Sequence, residues 1–398
     1  MKPLLENIRV VELTEAMAGP YCGMLLGDFG ADVIKVERPG IGDQSRGWGP
    51  PFVGTESAYF LSVNRNKRSL TLNLNHPRGL EILQTLLKAA DVFIVNQPRR
   101  ASLAKRGLDY DRLSAANPRL IYCSITGYGF TGPKAECPGY DILAQAEAGV
   151  MSFTGEPEGE PMRFPIAMAD ITCGIYATLG ILAALLARQE SGRGQFLDMA
   201  LLDCQLTWLA NAGSSYLNAG ELPRPMGNAH LNIVPYQLFR GSDGRYFAVG
   251  VGTEKLWSRF CRILGLESTL GRDPRFAGNR KRIEHREELI PQLEEVFRSR
   301  PAREWLEELK AAEIPAAPVH SVSEALNQPQ ALARSMVVEI QHPLTGIVRS
   351  LANPVKMSAT PITYRLPPPL LGQQADEVLQ ELGLTEEQVR AARGEGVV

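Results

Sequence analysis

Short apolar runs alternate with amphipathic stretches along the first third of the chain, a pattern typical of strands and helices in turn. Four apolar runs predict strands: RVVEL (9–13), DVIKVE (32–37), DVFIVN (91–96) and RLIYCSITGYG (119–129). The residues from about Tyr21 to Phe29 and the stretch HPRGLEILQTLLKAA predict helices between them. Strands joined through helices form parallel βαβ units, so the sequence predicts a Rossmann-like α/β domain with a parallel sheet.

A long apolar run from Ile171 to Ala187 follows a single carboxylate, Asp170. The run is apolar on every side, which predicts a helix that is buried all round. Aspartate is a favoured N-cap, so the simplest interpretation is that Asp170 caps this helix. A carboxylate at the positive end of a helix dipole stays ionised and rigid, which also suits a nucleophile. The residues alone leave both roles open.

A different pattern begins at the Gly- and Pro-rich stretch GELPRPMGN (220–228). The runs IVPYQLF and RYFAVGVG predict a hairpin with its turn near Asp243 and Gly244, and helical segments follow at about 254–264, 283–298 and 302–311. We therefore predict a large nucleotide-fold domain at 1–205, a smaller α+β domain at 226–325, and a return to the large domain at 335–398.

Length and charge narrow the class of protein. The chain has 398 residues, which is too long for one ordinary core, so two domains are expected. The net charge is −2 with both signs interleaved, which argues against a nucleic-acid partner or a membrane surface. The start of the chain lacks a signal-peptide pattern and no apolar stretch has spanning character, so we expect a cytoplasmic protein.

Several kinds of bound group find no support in the sequence. The six cysteines and five histidines are scattered without metal-ligand spacing, so we expect no metal and interpret the cysteines as buried small hydrophobic residues. The first helix opens with EAMAGPYCG rather than G-x-G-x-x-G, so a dinucleotide cradle, and with it a dehydrogenase, is not supported. Any ligand is expected in the crevice at the carboxyl ends of the strands.

Six stretches together resemble the family III CoA-transferases, in order along nearly the whole chain. They are GADVIKVERPGIGDQSR (30–46), NKRSLTLNL (66–74), NPRLIYCSITGYGFTGPKAECPGYD (117–141), the PIAMADITCGIYATLGILAAL run, GNAHLNIVPYQLF (227–239) and PPPLLGQQADEVLQELGL (367–384). The resemblance implies that Asp170 is the nucleophile, which attacks a thioester carbonyl and expels the CoA thiolate. Coenzyme A and acyl-CoA are then substrates, and no cofactor is bound permanently. We expect oxyanion donors from the first helical turn after Asp170.

The resemblance also implies positions for the other site residues. The residues expected to bind CoA are Ala16, Met17, Ala18, Arg38, Leu72, Asn73, Asn75 and Asn96, with Lys105 or Arg106 in place of the usual arginine. The residues expected to line the active site are Tyr140, Asp141 and a glycine loop that closes over it, formed by Gly227 or by Gly250 and Gly252. For Gly250 and Gly252 a plain strand end or bulge is the structural alternative.

Two other functions remain alternatives at this stage. α-Methylacyl-CoA racemases resemble this chain but have histidine in place of Tyr140, because exchange of an α-proton needs a second acid or base, and a tyrosine is a poor base at neutral pH. A non-catalytic acyl-CoA-binding protein would keep the crevice without the chemistry. The likeness favours succinyl-CoA and a dicarboxylic acid as substrates, with Arg46, Arg163 or Arg240 as the extra cation. It further implies an interlocked homodimer.

Overall fold

The computed structural model describes residues 2–398, and they divide into two compact units. The first contains the chain up to Val150, Arg163–Ala219 and Gln330–Val398, and the second contains Met151–Met162 and Gly220–Pro329. The segment Met151–Met162 thus falls in the second unit, whereas the sequence boundaries place it within 1–205. The predicted domain limits stay a prediction.

The first unit alternates strands and helices along most of its length. Its elements are β1 (Arg9–Leu13), α1 (Ala18–Asp28), β2 (Asp32–Glu37), β3 (Phe52–Val53), β4 (Glu56–Ser57), α2 (Ala58–Val63), β5 (Lys67–Thr71), α3 (Pro77–Lys88), β6 (Val92–Val95), α4 (Arg100–Lys105), α5 (Tyr110–Ala116), β7 (Ile121–Thr126), α6 (Asp141–Glu147), α7 (Met168–Ser191), β8 (Phe196–Ala200), α8 (Leu201–Leu206) and α9 (Ala210–Ala219). After the second unit come β12 (Val337–His342), β13 (Gly346–Leu351), α16 (Ala375–Glu381) and α17 (Glu386–Gly394).

The parallel sheet has the strand order β5-β2-β1-β6-β7-β8, and each neighbouring pair in it is parallel. The α/β class and the parallel sheet predicted from the apolar runs are therefore confirmed. The strand order reverses between β1 and β6, and ligands of open α/β sheets bind at such a switch point. The crevice should thus lie where Leu13 and Val95 end their strands.

Alternate residues of each strand face opposite sides of the sheet, and each side has its own core. Val11, Phe93 and Tyr122 belong to one cluster, which also contains residues of α3, α5, α16 and α17. Val10 and Ile94 belong to the other cluster, with residues of α1 and α7. Helices on both faces make this a doubly wound layer arrangement.

Helix α7 differs from its prediction in one respect. A stripe of apolar residues is exposed, with Ile175 42%, Leu179 55% and Leu186 67% accessible, so the expectation of burial all round is wrong. The opposite face is buried because Gly174 lets α7 approach α1 closely: a Cβ at this position would lie 2.8 Å from the Ala18 carbonyl oxygen. By length and hydropathy α7 is also a candidate membrane span, which the sequence analysis did not expect. Half of its most apolar 18-residue stretch is buried inside the structure.

The second unit is an α+β arrangement. Its elements are β9 (Tyr236–Arg240), β10 (Tyr246–Gly250), α10 (Glu254–Ile263), α11 (Asn279–Glu284), α12 (Arg286–Phe297), α13 (Ala302–Ala311), β11 (Ala316–Pro318) and α14 (Val322–Asn327), with α15 (Pro329–Ala333) at its boundary. Strands β9 and β10 pair antiparallel, and Gly244 turns the hairpin with a φ of 78°, as predicted. In its core the ring of Phe297 contacts those of Phe239, Phe247 and Phe260 in tilted or edge-to-face pairs.

The cysteines follow the sequence prediction with one exception. Cys22, Cys123, Cys173, Cys204 and Cys261 are buried free thiols, whereas Cys137 is exposed. Cys137 lies in the loop that follows β7, where no helix or strand covers it. The interpretation of all six as buried hydrophobic residues is therefore wrong at this position.

Candidate active site

Asp170 does not cap its helix. Helix α7 begins at Met168, and its N-cap, Ala167, makes no side-chain cap. The capping oxygen comes from Asp141, whose Oδ1 accepts hydrogen bonds from the backbone N–H groups of Ala169 at 2.8 Å and Asp170 at 3.4 Å. Within residues 2–398 the Asp170 side chain forms no hydrogen bond or ion pair. The interpretation of Asp170 as an N-cap is therefore wrong, and its carboxylate is free to bind or react with a ligand.

The surroundings of Asp170 disfavour its charge. Burial, and then the neighbouring Asp141 carboxylate, raise the pKa of Asp170 to about 7. The sequence analysis expected a carboxylate kept ionised by the helix dipole. At neutral pH the group instead titrates, so a small change of environment switches it between its protonated and its ionised form.

The first turn of α7 has no N–H groups to offer to an oxyanion. Those of Ala169 and Asp170 bond to Asp141, and that of Ile171 donates to the Ala167 carbonyl oxygen at 3.0 Å. The expectation that this turn supplies oxyanion donors is therefore wrong. Another helix start is available, because Ala18 opens α1, lines the same cavity and has no intrahelical acceptor for its N–H.

Asp170 lies in a cavity of about 590 Å³ at the carboxyl ends of the strands. Loops after β1, β6 and β7 contribute to its wall, as the switch-point rule predicts. Its lining residues are Glu15, Ala16, Met17, Ala18, Gln44, Trp48, Tyr59, Asn96, Pro98, Ile125, Thr126, Gly127, Pro138, Gly139, Tyr140, Asp141, Ile142, Arg163, Ala167, Asp170 and Leu201.

Two aromatic rings form part of this wall. Trp48 and Tyr59 meet edge to face with their ring centroids 4.9 Å apart. Burial, and then the carboxylates of Asp170, Asp141 and Asp43, raise the pKa of Tyr59 above its ordinary value. The Tyr59 hydroxyl is therefore protonated at neutral pH, and the cavity has an apolar wall with a proton donor beside the carboxylate.

The turn after β1 is held in a strained conformation. Ala16 has a φ of 70°, which is unfavourable for a residue with a Cβ. Its N–H donates to Asp43 Oδ1 at 3.1 Å. On the other side, Asn96 clamps the backbone of Glu15, donating to its oxygen at 3.0 Å and accepting from its N–H at 3.3 Å. Asn96 thus holds this turn, and its role toward CoA stays a prediction.

A buried network of charges contacts the turn after β1 through Asp43. Lys35 Nζ lies 2.9 Å from a carboxylate oxygen of both Glu12 and Asp43, and Lys67 Nζ lies 2.8 Å from the other oxygen of Glu12. All four side chains are buried. Burial opposes ionisation of Asp43, but the Lys35 ammonium outweighs it and holds the pKa of Asp43 below its ordinary value. The network therefore keeps the acceptor for Ala16 charged.

A second cavity, of about 650 Å³, shares Glu15 and Asn96 with the first. Arg38 lines it and reaches Glu15 with an N–O distance of 3.1 Å. Arg106 lines it too, and donates to Ser102 Oγ at 2.8 Å and to Asn75 Oδ1 at 3.2 Å. Its lining residues are Leu13, Thr14, Glu15, Val36, Glu37, Arg38, Pro39, Ile41, Asp43, Leu72, Asn73, Leu74, Asn75, Asn96, Gln97, Ser102, Leu103, Arg106 and Leu108.

The structure therefore divides the CoA candidates between two cavities. Arg38, Leu72, Asn73, Asn75 and Arg106 line the second cavity, together with Asn96. Ala16, Met17 and Ala18 line the Asp170 cavity instead. In the described chain, Lys105 belongs to neither lining, so of the two basic candidates only Arg106 faces this space.

The candidate loop glycines lie in the second unit. Gly227 has a φ of 56° and donates to the Gly155 carbonyl oxygen at 2.8 Å. Gly250 ends β10, which matches the strand-end alternative, and Gly252 precedes α10 with open space where a Cβ would be. Both cavity linings consist of first-unit residues, so the closing loop stays a prediction.

The sequence matches the model of CoA-transferase family III over residues 5–375. The chain belongs to CoA-transferase family III. The resemblance carried by the six stretches is thereby confirmed, and the protein is an enzyme of the CoA-transferase type. CoA thioesters are the substrates of such enzymes. Within residues 2–398 no cluster of three or more histidine, cysteine, aspartate or glutamate side chains has the geometry to hold a metal ion.

Family III relatives match the chain nearly end to end. A succinate–glutarate CoA-transferase of Agrobacterium fabrum is 43% identical over 387 residues, covering 96% of each chain. The human succinyl-CoA:glutarate CoA-transferase is 40% identical over 382 residues, covering 96% of this chain and 86% of the human one. A crystal structure of a CAIB/BAIF family protein from Brucella suis superposes with a TM-score of 0.86 at 42% identity, over 96% of this chain and 99% of that one.

Some residues of this family III cavity have no local signal in the sequence. Trp48 lies in an irregular connection and Tyr59 lies in the short helix α2, so no periodicity marks either of them. Gln145 lies behind the lining, is fully buried and donates to Asp141 Oδ2 at 2.7 Å, a contact that its spacing of four residues on α6 allows. Arg106 has a weak signal, because Ser102 lies four residues before it on the same helical face.

Proposed function

We propose that this family III enzyme transfers CoA from succinyl-CoA to a second dicarboxylic acid, with Asp170 as the nucleophile. The observation that carries the proposal is the unpaired carboxylate of Asp170. It lies in a cavity that shares residues with a second cavity, which Arg38 and Arg106 line. Succinyl-CoA is inferred from the relatives, two of which are named for succinyl or succinate and glutarate. Glutarate is accordingly the first acceptor to test.

The chemistry proceeds by exchange at two carbonyl carbons. An oxygen of Asp170 attacks the succinyl carbonyl carbon, the C–S bond breaks, and the CoA thiolate leaves with the electron pair, giving a mixed anhydride. The thiolate then attacks the aspartyl carbonyl carbon and expels succinate, which leaves an aspartyl-CoA thioester. The acceptor carboxylate attacks the aspartyl carbonyl carbon of this thioester, the C–S bond breaks, and the CoA thiolate leaves, which gives a new anhydride. The thiolate then attacks the acceptor's carbonyl carbon in this anhydride and expels the Asp170 carboxylate. Acyl-CoA of the acceptor leaves, and Asp170 is regenerated.

Each attack needs help from the surrounding residues. The anhydride hydrolyses in water, so the Trp48 and Tyr59 wall serves to exclude water from it. Negative charge develops on the carbonyl oxygen in every step, and the N–H of Ala18 at the start of α1 is suited to stabilise it. The strained turn at Ala16 sets the position of that helix start.

The second cavity is the proposed seat of the nucleotide part of CoA. Arg38 and Arg106 provide cations for its phosphates, and the Leu72 side chain provides an apolar surface. Because Glu15 and Asn96 belong to both linings, a CoA thioester bound here extends toward Asp170. No permanently bound cofactor is part of the proposal.

A racemase needs a second acid or base beside the α-carbon. Tyr140 lines the cavity and is 64% exposed, and in the described residues no histidine belongs to that lining. Tyr59 does not supply that base, because its raised pKa keeps its hydroxyl protonated at neutral pH. These observations favour transfer over racemisation.

The test is an assay of CoA transfer from succinyl-CoA to glutarate. Purified enzyme is incubated with succinyl-CoA and glutarate, and glutaryl-CoA and succinate are measured by mass spectrometry. We expect both to form in equal amounts, and no glutaryl-CoA with Asp170→Asn. Glutaryl-CoA formation by a folded Asp170→Asn variant contradicts the proposed nucleophile, and an active α-proton exchange without transfer contradicts the reaction class.

The proposal includes an interlocked homodimer in the cytoplasm. The exposed apolar stripe of Ile175, Leu179 and Leu186 is the kind of surface that a second subunit covers. The free cysteines are typical of a reducing compartment. Native mass spectrometry should show a dimer that persists on dilution, and a stable monomer contradicts this part of the proposal.

A further inference from the structure

We propose that Arg163 is the binding subsite for the distal carboxylate of the dicarboxylic acyl group. The inference rests on the proposed function and goes beyond it, because it names the residue that separates dicarboxylic from monocarboxylic substrates. Arg163 is exposed and lines the cavity that contains Asp170.

Of the three arginines considered from the sequence, only Arg163 both lines the cavity that contains Asp170 and has guanidinium N–H groups free to bind a ligand. Arg46 is committed to Glu37, with both N–O distances at 2.8 Å, and also donates to the Pro369 carbonyl oxygen. Arg240 lies in the second unit and bonds to the Gly244 carbonyl oxygen at 3.1 Å. Within residues 2–398 Arg163 has no ion pair, and its one hydrogen bond is a long contact of 3.4 Å to the carbonyl oxygen of its neighbour Phe164.

The charges of the side chains that line the cavity favour such a cation. Its lining contains three carboxylates, those of Glu15, Asp141 and Asp170, and among the described residues Arg163 is the single lysine or arginine in it. These carboxylates would repel a second carboxylate on the substrate unless a cation lay next to it. A guanidinium suits the task because its donors match a carboxylate in a bidentate pair.

The backbone beside Arg163 is fixed relative to Asp170 through one buried side chain. Gln145 Oε1 accepts the N–H of Phe164 at 2.8 Å, and Gln145 Nε2 donates to Asp141 Oδ2 at 2.7 Å. Asp141 Oδ1 in turn holds the N–H groups at the start of α7, including that of Asp170. The backbone next to Arg163 and the backbone of Asp170 are therefore held by one set of hydrogen bonds. The fixed spacing between the two residues then selects the chain length of the acyl group that reaches both.

The test compares two acyl groups of equal chain length with and without the distal charge. Single-turnover acylation of the enzyme is measured with glutaryl-CoA and with pentanoyl-CoA, for wild type, Arg163→Gln and Arg163→Lys. We expect Arg163→Gln to lower the glutaryl-to-pentanoyl rate ratio by about 10- to 100-fold, the value of one charge-assisted pair. Arg163→Lys should restore part of the ratio. Arg193→Gln, at an exposed arginine outside both cavity linings, is the matched control and should leave it unchanged.

The outcomes separate this inference from the proposed function. If wild type is acylated by both thioesters but Arg163→Gln slows both equally, or neither, the subsite is wrong and the transferase proposal stands. If wild type is acylated by no thioester, the proposed function fails and the subsite with it. If Arg163→Gln is inactive, the affinities for glutaryl-CoA and pentanoyl-CoA are measured by calorimetry in the Asp170→Asn background, with and without Arg163→Gln. A loss of the preference for glutaryl-CoA on adding Arg163→Gln supports the subsite, and an unchanged preference overturns it.

Discussion

Asp141 caps the helix that carries Asp170, with its Oδ1 accepting the Asp170 N–H at 3.4 Å and that of the preceding residue at 2.8 Å. Moving the cap to another helix frees the Asp170 carboxylate for chemistry. It also brings a second negative charge close to the nucleophile, and this charge contributes to a pKa of about 7. One residue therefore positions the helix and tunes the group that the helix presents.

The first prediction concerns this tuning. Wild-type kcat/KM should fall as the pH drops through about 7, because the attacking form of Asp170 is the ionised one. Asp141→Asn keeps an oxygen for the cap but removes the charge, so the acid limb of the pH profile should move to lower pH. Glu147→Gln, at the exposed end of the same helix, is the control. An unshifted profile in Asp141→Asn would show that the charge of Asp141 is not felt at Asp170.

A second prediction links the nucleophile to stability. The folded state holds a proton on Asp170 more tightly than the unfolded state does, so stability is lost as the pH rises from about 4 to about 7, and the full cost remains above pH 7. Asp170→Asn removes this cost and should raise the free energy of unfolding at pH 8 by about 1–3 kcal/mol, discounted for partial exposure. The difference should disappear near pH 4. Denaturant titrations at both pH values check this, with Asp203→Asn as the exposed control, and an equal or lower stability at pH 8 counts against it.

The third prediction concerns the buried charges under the turn at Ala16. Asp43→Ala leaves Lys35 short of a partner and removes the acceptor for the Ala16 N–H, so it should lower the free energy of unfolding by about 3–5 kcal/mol. Asp43→Asn retains an acceptor and should cost less, while still raising the KM for the acyl-CoA. Chemical unfolding and initial rates measure the two effects. A loss under 1 kcal/mol in Asp43→Ala would mean that the network does not hold the turn.

The strands β1, β2, β6 and β7 follow from local patterns, because each apolar run is long enough to bury itself against helices on both faces. Strand β5 has no such run, since its Lys67 and Arg68 are paired with carboxylates that come from other parts of the chain. The cap of α7 could not be predicted, since Asp141 and Ala169 are 28 positions apart and meet only after folding. The exposed stripe at Leu179 was missed for a related reason: apolar residues all round a helix indicate burial, but not whether the cover comes from the same chain.

A fourth prediction settles the choice between the two basic candidates for CoA. Arg106→Gln should raise the KM for the acyl-CoA at least several-fold with little change in kcat, because Arg106 lines the second cavity, which we propose as the nucleotide site. Lys105→Gln should change neither. The effect of Arg106→Gln should shrink at high salt, where phosphate contacts are screened. If Lys105→Gln carries the KM effect instead, the seat of the phosphates is misassigned.

The covalent intermediate tests the central claim most directly. The enzyme is incubated with succinyl-CoA, trapped with hydroxylamine or borohydride, digested, and mapped by mass spectrometry alongside Asp170→Asn. The account predicts a modification on the peptide that contains Asp170 in wild type and none in the variant. A folded enzyme that binds CoA but shows no modified Asp170 with succinyl-CoA or any other thioester would contradict it.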